Sequence, residues 1–161
     1  MRIGRFLTVN DVYNYIDTFL GGAPILCLGS GYTERPTIPN DQYTSITWDW
    51  EYTDNWDLWS PSYPQEINIP EAWQGVYEAS IFVCWGDSTE GYREVYFLSL
   101  DRCDSPSVGC PSVATHLSGL VNGPAWQWEV TVYQNSGAAL EITASIYLRW
   151  VQPLPTWEEP P

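Results

Sequence analysis

From residue 23 onward, apolar and polar positions alternate with a period of two, the pattern of strands that bury one face and expose the other. Ile46, Trp48, Trp50 and Tyr52 alternate with Thr47, Asp49 and Glu51. Tyr77, Ala79, Ile81, Val83 and Trp85 share one side of a longer run, and Trp126, Trp128, Val130 and Val132 alternate with Gln127, Glu129 and Thr131. The most regular run places Leu140, Ile142, Ala144, Ile146, Leu148 and Trp150 against Glu141, Thr143, Ser145, Tyr147 and Arg149. Segments 25–28, 66–69 and 92–100 bring the expectation to about eight strands, a count that suits a two-sheet antiparallel sandwich. Turn residues separate the runs: Gly29-Ser30-Gly31, Ser60-Pro61, Gly86-Asp87, Glu90-Gly91, Asn122-Gly123-Pro124 and Asn135-Ser136-Gly137.

The two ends read differently. After Thr8, the residues Val9, Val12, Tyr13, Ile16, Phe19 and Leu20 fall at helical spacing, with Asp11 near the start and Gly21-Gly22 as the stop. The last nine residues hold four prolines, which predicts an extended arm with Trp157 as its lone aromatic anchor. The expected organisation is therefore an N-terminal attachment segment (1–22), a sandwich domain (23–152) and a Pro-rich tail (153–161). Phe6, Val9, Val12, Tyr13, Ile16, Phe19 and Trp157 are the candidate partner-binding residues of the two ends.

Composition narrows the partners. Twenty acidic residues against six arginines and no lysine give a net charge of −14, which disfavours nucleic acid and anionic membranes alike. No stretch approaches the ~18 apolar residues of a membrane span. No secretory signal is visible, because Asn10, Asp11, Asn14 and Asp17 interrupt the segment after Met1–Arg5. The expectation is synthesis in a host cytoplasm. Cys27 and Cys84 sit in apolar runs and read as free buried thiols. Cys103 and Cys110 flank a short loop, where a disulfide or two free thiols are both open readings.

The order of features between Trp48 and Trp150 resembles a known family. An alternating strand (TSITWDWEYTD) leads through an aspartate-rich turn (NWDLW) to EINIP, then to GVYEASIFVCW and GYREVYFLSL, and later to WQWEVTVYQNSG and LEITASIYLRW. Over roughly residues 25–151 this resembles the C1q/TNF-like jelly roll in the variety found among phage and bacterial structural proteins. The loop 101–119, with its two cysteines, and Trp73, where a small residue is usual, depart from that pattern. Gly75 is expected to supply a positive φ, Pro70 to end the preceding strand, and Tyr77 to open the inward-facing set. The resemblance implies a homotrimer built on one sandwich face, and a place on a virion beside the major capsid protein or another virion protein.

Candidate chemistry is sparse. Asp49, Glu51, Asp54 and Asp57 form the best cation candidate, since carboxylates on a turn suit Ca²⁺. Asp49 and Glu51 point outward from a strand, however, and no Gly-containing calcium loop surrounds them, so a solvated acidic rim is the plainer expectation. A carboxylate pair could serve a glycoside hydrolase, and His116-x-Ser118 could pair a base with a nucleophile, yet no catalytic motif accompanies either. No cofactor and no enzymatic activity are expected. Trp56, Trp59 and Tyr63 share one loop and could stack on cell-surface glycans or pack between subunits. The leading expectation is a virion decoration or cement protein, with a receptor- or glycan-binding tip as the alternative and a hydrolase as the remote one.

Overall fold

The computed structural model describes residues 22–86, 91–105, 114–124 and 126–153. Its strands are β1 (Ile25–Ser30), β2 (Thr37–Ile38), β3 (Thr44–Ser45), β4 (Trp50–Asp54), β5 (Ile67–Ile69), β6 (Gly75–Trp85), β7 (Arg93–Phe97), β8 (Leu100–Asp104), β9 (Ala114–Gly123), β10 (Trp126–Trp128), β11 (Thr131–Gln134) and β12 (Leu140–Gln152). One sheet runs in the order β4-β1-β12-β6-β9, with β2 pairing one end of β12. The facing sheet runs β3-β11-β7-β8, and β10 pairs with β5. Every pairing is antiparallel. The described residues form an all-β jelly-roll sandwich; the alternation predicts the two sheets, and the resemblance the jelly roll.

Alternation on the long strands fills the space between the sheets. Leu26 and Leu28 on β1, Ile81 and Val83 on β6, and Ile146 and Leu148 on β12 are buried from one side. Val95, Phe97 and Val132 meet them from the other, with Trp48 and Trp128 between. Tyr77 is fully buried, lies edge-on to Trp128 at 5.0 Å, and donates its phenol hydrogen to the Trp73 carbonyl at 2.8 Å. The VYQNSG turn is tied by a buried plug. Gln134 donates to the carbonyls of Ile38 and Ala138 and accepts from the backbone N–H and hydroxyl of Ser136.

Several expectations needed correction. The run 46–52 is not one strand. Ile46 and Trp48 are buried where the chain crosses from β3 to the opposite sheet, with Trp48 N–H bonded to the Pro64 carbonyl and Asp49 N–H to that of Gly29. Beyond the crossing, Trp50 and Tyr52 are exposed and lie over Gly29, whose missing side chain leaves them room. The run 126–132 likewise divides between β10 and β11, and Trp126 is 77% exposed. Within the expected loop 101–119 stand the hairpin arm β8 and most of the ten-residue β9.

Gly75 does not have a positive φ. It is needed for closeness instead: a Cβ there would lie 2.3 Å from the Gln152 carbonyl oxygen and 2.7 Å from the Trp150 indole nitrogen. Pro70 does follow the end of β5, and a 3-10 turn (Glu71–Trp73) leads into β6. Cys84 is exposed rather than buried, because odd-numbered residues of β6 take the inner face and even-numbered ones the outer. Cys27 is half-buried, and burial pushes its thiol pKa up. The helical stripe from Phe6 to Phe19 and the tail anchor Trp157 lie outside the described residues.

Burial raises the Tyr77 phenol pKa above its ordinary value of 10.0. A group raised in the folded state contributes stability that is fully present below that ordinary value and is lost as pH rises past it. Denaturant titrations should show stability falling from about pH 10 upward. Tyr77→Phe should be about 1 kcal/mol less stable at neutral pH and fall less steeply in that alkaline range.

Candidate functional site

The central strands of the larger sheet put a distinctive set of side chains on its outer surface. On β6 these are Glu78, Ser80, Phe82 and Cys84; on β12 they are Glu141, Thr143, Ser145, Tyr147 and Arg149. On β9 they are Ala114, His116, Ser118, Leu120 and Asn122. Register aligns them in rows: Tyr147, Ser80 and Ser118 in one, and Ser145, Phe82 and His116 in the next. Cys27 and Gly29 of β1 extend these two rows in turn, and Trp50 and Tyr52 lie beside Gly29.

Charge is confined to the ends of this face. Arg149 and Glu78 neutralise each other across 2.6 Å at one end, and Glu141 stands at the other. Between them, the rows carry no formal charge. Exposed apolar surface gathers here as well: Phe82, Tyr147 and Val151 are each partly exposed, and Leu120 is 64% exposed. In a chain of net charge −14, central rows that carry no formal charge and also expose apolar side chains mark a candidate contact surface.

His116 and Ser118 do not form a nucleophile pair. The imidazole Nε2 instead meets the Ser80 hydroxyl at 2.9 Å, and the ring packs beside Phe82. No hydrogen bond among the described residues supplies His116 with an orienting carboxylate. The geometry is that of a surface contact within the sheet.

The four candidate cation ligands do not converge either. Among the described residues, no three His, Cys, Asp or Glu side chains are placed to share a metal. Asp49 accepts the backbone N–H groups of Tyr32, Thr33 and Glu34, which pins the loop after β1. Asp54 accepts those of Trp56 and Trp59, closing the turn after β4. Both carboxylates are thus committed to backbone donors. Glu51 and Asp57 are exposed, and Asp57 sits at φ 52° in the turn itself.

The loop aromatics separate. Trp59 is buried, with its indole donating to the Pro64 carbonyl, so it belongs to the core. Trp56 is partly exposed; it donates to the Gly22 carbonyl and packs edge-on to Trp73, which in turn meets Trp150. Tyr63 alone of the three stands well clear of the protein. Cys103 is an exposed free thiol on β8, and Cys110 lies outside the described residues.

Solved structures share this sandwich. The globular domain of zebrafish complement 1qA protein superposes with a TM-score of 0.57 at 15% identity, over 81% of this chain and 98% of that one. The fold is a C1q/TNF-like jelly roll. PRD1 vertex protein P5 matches at 0.56 and 18% identity, over 81% of this chain and 74% of that one. Eiger TNF from S. frugiperda matches at 0.54 and 13% identity, over 84% and 99%. The sequence matches no protein-family model and no curated protein.

If Asp49 serves the backbone and not a cation, Asp49→Ala should lower unfolding free energy by about 1–2 kcal/mol. Calcium at millimolar concentration should leave the unfolding midpoint of the unaltered chain in place. Thermal denaturation with and without the ion checks both.

Proposed function

We propose that this chain is a structural protein of a virus particle, acting as a homotrimer that coats or stabilises the head. The observation that carries the reading is the outer face of the β4-β1-β12-β6-β9 sheet, whose central rows carry no formal charge. Acidic chains repel one another, so copies associate most readily through whatever surface lacks charge. The central rows of this face lack charge, and its exposed Phe82, Leu120 and Tyr147 supply apolar area to bury. Jelly-roll domains of this fold commonly assemble around a threefold axis, and the fold shared with PRD1 vertex protein P5 supports a virion setting.

No catalytic role is proposed. The hydrogen-bonded Ser80 and His116 lie on the face assigned here to subunit contact. The alternative of a glycan-binding tip would need a cluster of free aromatic rings. It has less support at the 56–63 loop, because Trp59 is in the core and Trp56 is held by Gly22 and Trp73.

Two measurements test the reading. Peptide mass spectrometry of purified particles should find this chain at a copy number in fixed proportion to the major capsid protein; its absence from particles would end the proposal. A Phe82→Glu, Tyr147→Glu variant should keep the far-ultraviolet β signature but elute as a single chain, since two carboxylates per copy would meet inside the interface. If that variant remained oligomeric, the assigned face would be wrong.

A further inference from the structure

The opposite face of the molecule has a different chemistry. On the outer surface of the β3-β11-β7-β8 sheet, four tyrosines form a continuous row. Tyr92 and Tyr133 have ring centroids 5.4 Å apart, Tyr133 and Tyr43 4.8 Å, and Tyr43 and Tyr96 5.7 Å. Three of the four hydroxyls are bonded to carboxylates on the same face. Tyr96 donates to Glu94 Oε1 at 2.5 Å, Tyr43 to Glu94 Oε2 at 3.5 Å, and Tyr133 to Asp41. These bonds raise the pKa of Tyr96 and Tyr133 above the ordinary 10.0, because each hydroxyl is held by a carboxylate.

The surroundings give the face a sign. Asp101 lies opposite Tyr96 in register, and Glu129 stands exposed beside Ser45, to which it is hydrogen-bonded. The two arginines of this sheet are both engaged elsewhere. Arg93 is buried, and Arg102 falls opposite inward-facing Val95 and pairs with Asp104 at 3.2 Å. The result is a sheet face of electron-rich rings interleaved with carboxylates, with Tyr43 60% exposed at its middle.

We infer that this tyrosine face is a docking surface for an arginine-bearing segment of another protein. A guanidinium is attracted to the ring faces by their quadrupoles and to the carboxylate oxygens by charge, and its planar donors suit both at once. An anionic ligand is repelled by the same groups, and an uncharged apolar one would strand the carboxylates. The face lies on the sheet opposite the proposed subunit contact and shares no residue with it, so the inference rests on neither that contact nor the trimer.

The test is a calorimetric titration of the full chain with an acetylated hexa-arginine peptide. Tyr43→Ala and Tyr133→Ala keep net charge unchanged, and each should weaken binding about threefold to fivefold, the worth of one exposed ring beneath a cation. Glu51→Gln and Glu71→Gln, which remove charge far from this face, should change it by less than twofold. Tyr43 is exposed enough that its replacement leaves the fold intact, so Tyr43→Ala decides the matter even if Tyr133→Ala unfolds. The inference is overturned if the peptide does not bind, or if the distant acids matter as much as the rings.

Discussion

Ten residues of β12 lie opposite ten residues of β6 in antiparallel register, and β9 and β1 continue that register on either side. Because side chains alternate strictly across a pleated sheet, this pairing decides which half of each strand is hidden. Slipping β12 by one residue would turn Ile142, Ile146 and Leu148 into solvent and bring Glu141 and Arg149 into the core. The inner face fixes the sandwich, and the outer face follows from it. Phe82, Tyr147, Ser80, His116 and Leu120 share one surface only because the core residues beside them are locked in place.

Charge is distributed around this frame unevenly. Acidic side chains occupy the loops, the edge strand β4 and the tyrosine face of the smaller sheet, while the outer face of the larger sheet keeps one neutralised pair and a terminal glutamate. Mutual repulsion between copies of net charge −14 would oppose association through any acidic surface. The molecule thus separates a neutral side, suited to meeting copies of itself, from a negative aromatic side suited to meeting something cationic. In the proposed reading one sandwich serves two contacts, because its two sheets turn different chemistries outward.

The architecture was legible wherever a strand is long and belongs to one sheet. The alternations of β6 and β12 give both the element and its buried face directly. They fail where the chain changes sheets, as between Trp48 and Trp50, because residues of the same parity then fall on different sides of the molecule. They fail also at β9, where Gly119 and the exposed Leu120 break the pattern and only Thr115, Leu117 and Val121 mark the inner face. Site residues were harder still. Asp49 and Asp54 looked available in sequence because nothing there reveals a carboxylate's backbone partners. Trp59 looked exposed because its burial depends on Pro64 and Ile67 folding back over it. The tyrosine row was hidden for a related reason: Tyr43, Tyr92, Tyr96 and Tyr133 come from three separate stretches that meet only across the sheet.

The central claim is that the outer face of the larger sheet is covered by copies of the same chain. Sedimentation equilibrium of the unaltered protein at physiological ionic strength tests it most directly. The account predicts a species of three times the 18.3 kDa chain mass that persists on dilution. A mass of a single chain across the concentration series would contradict it.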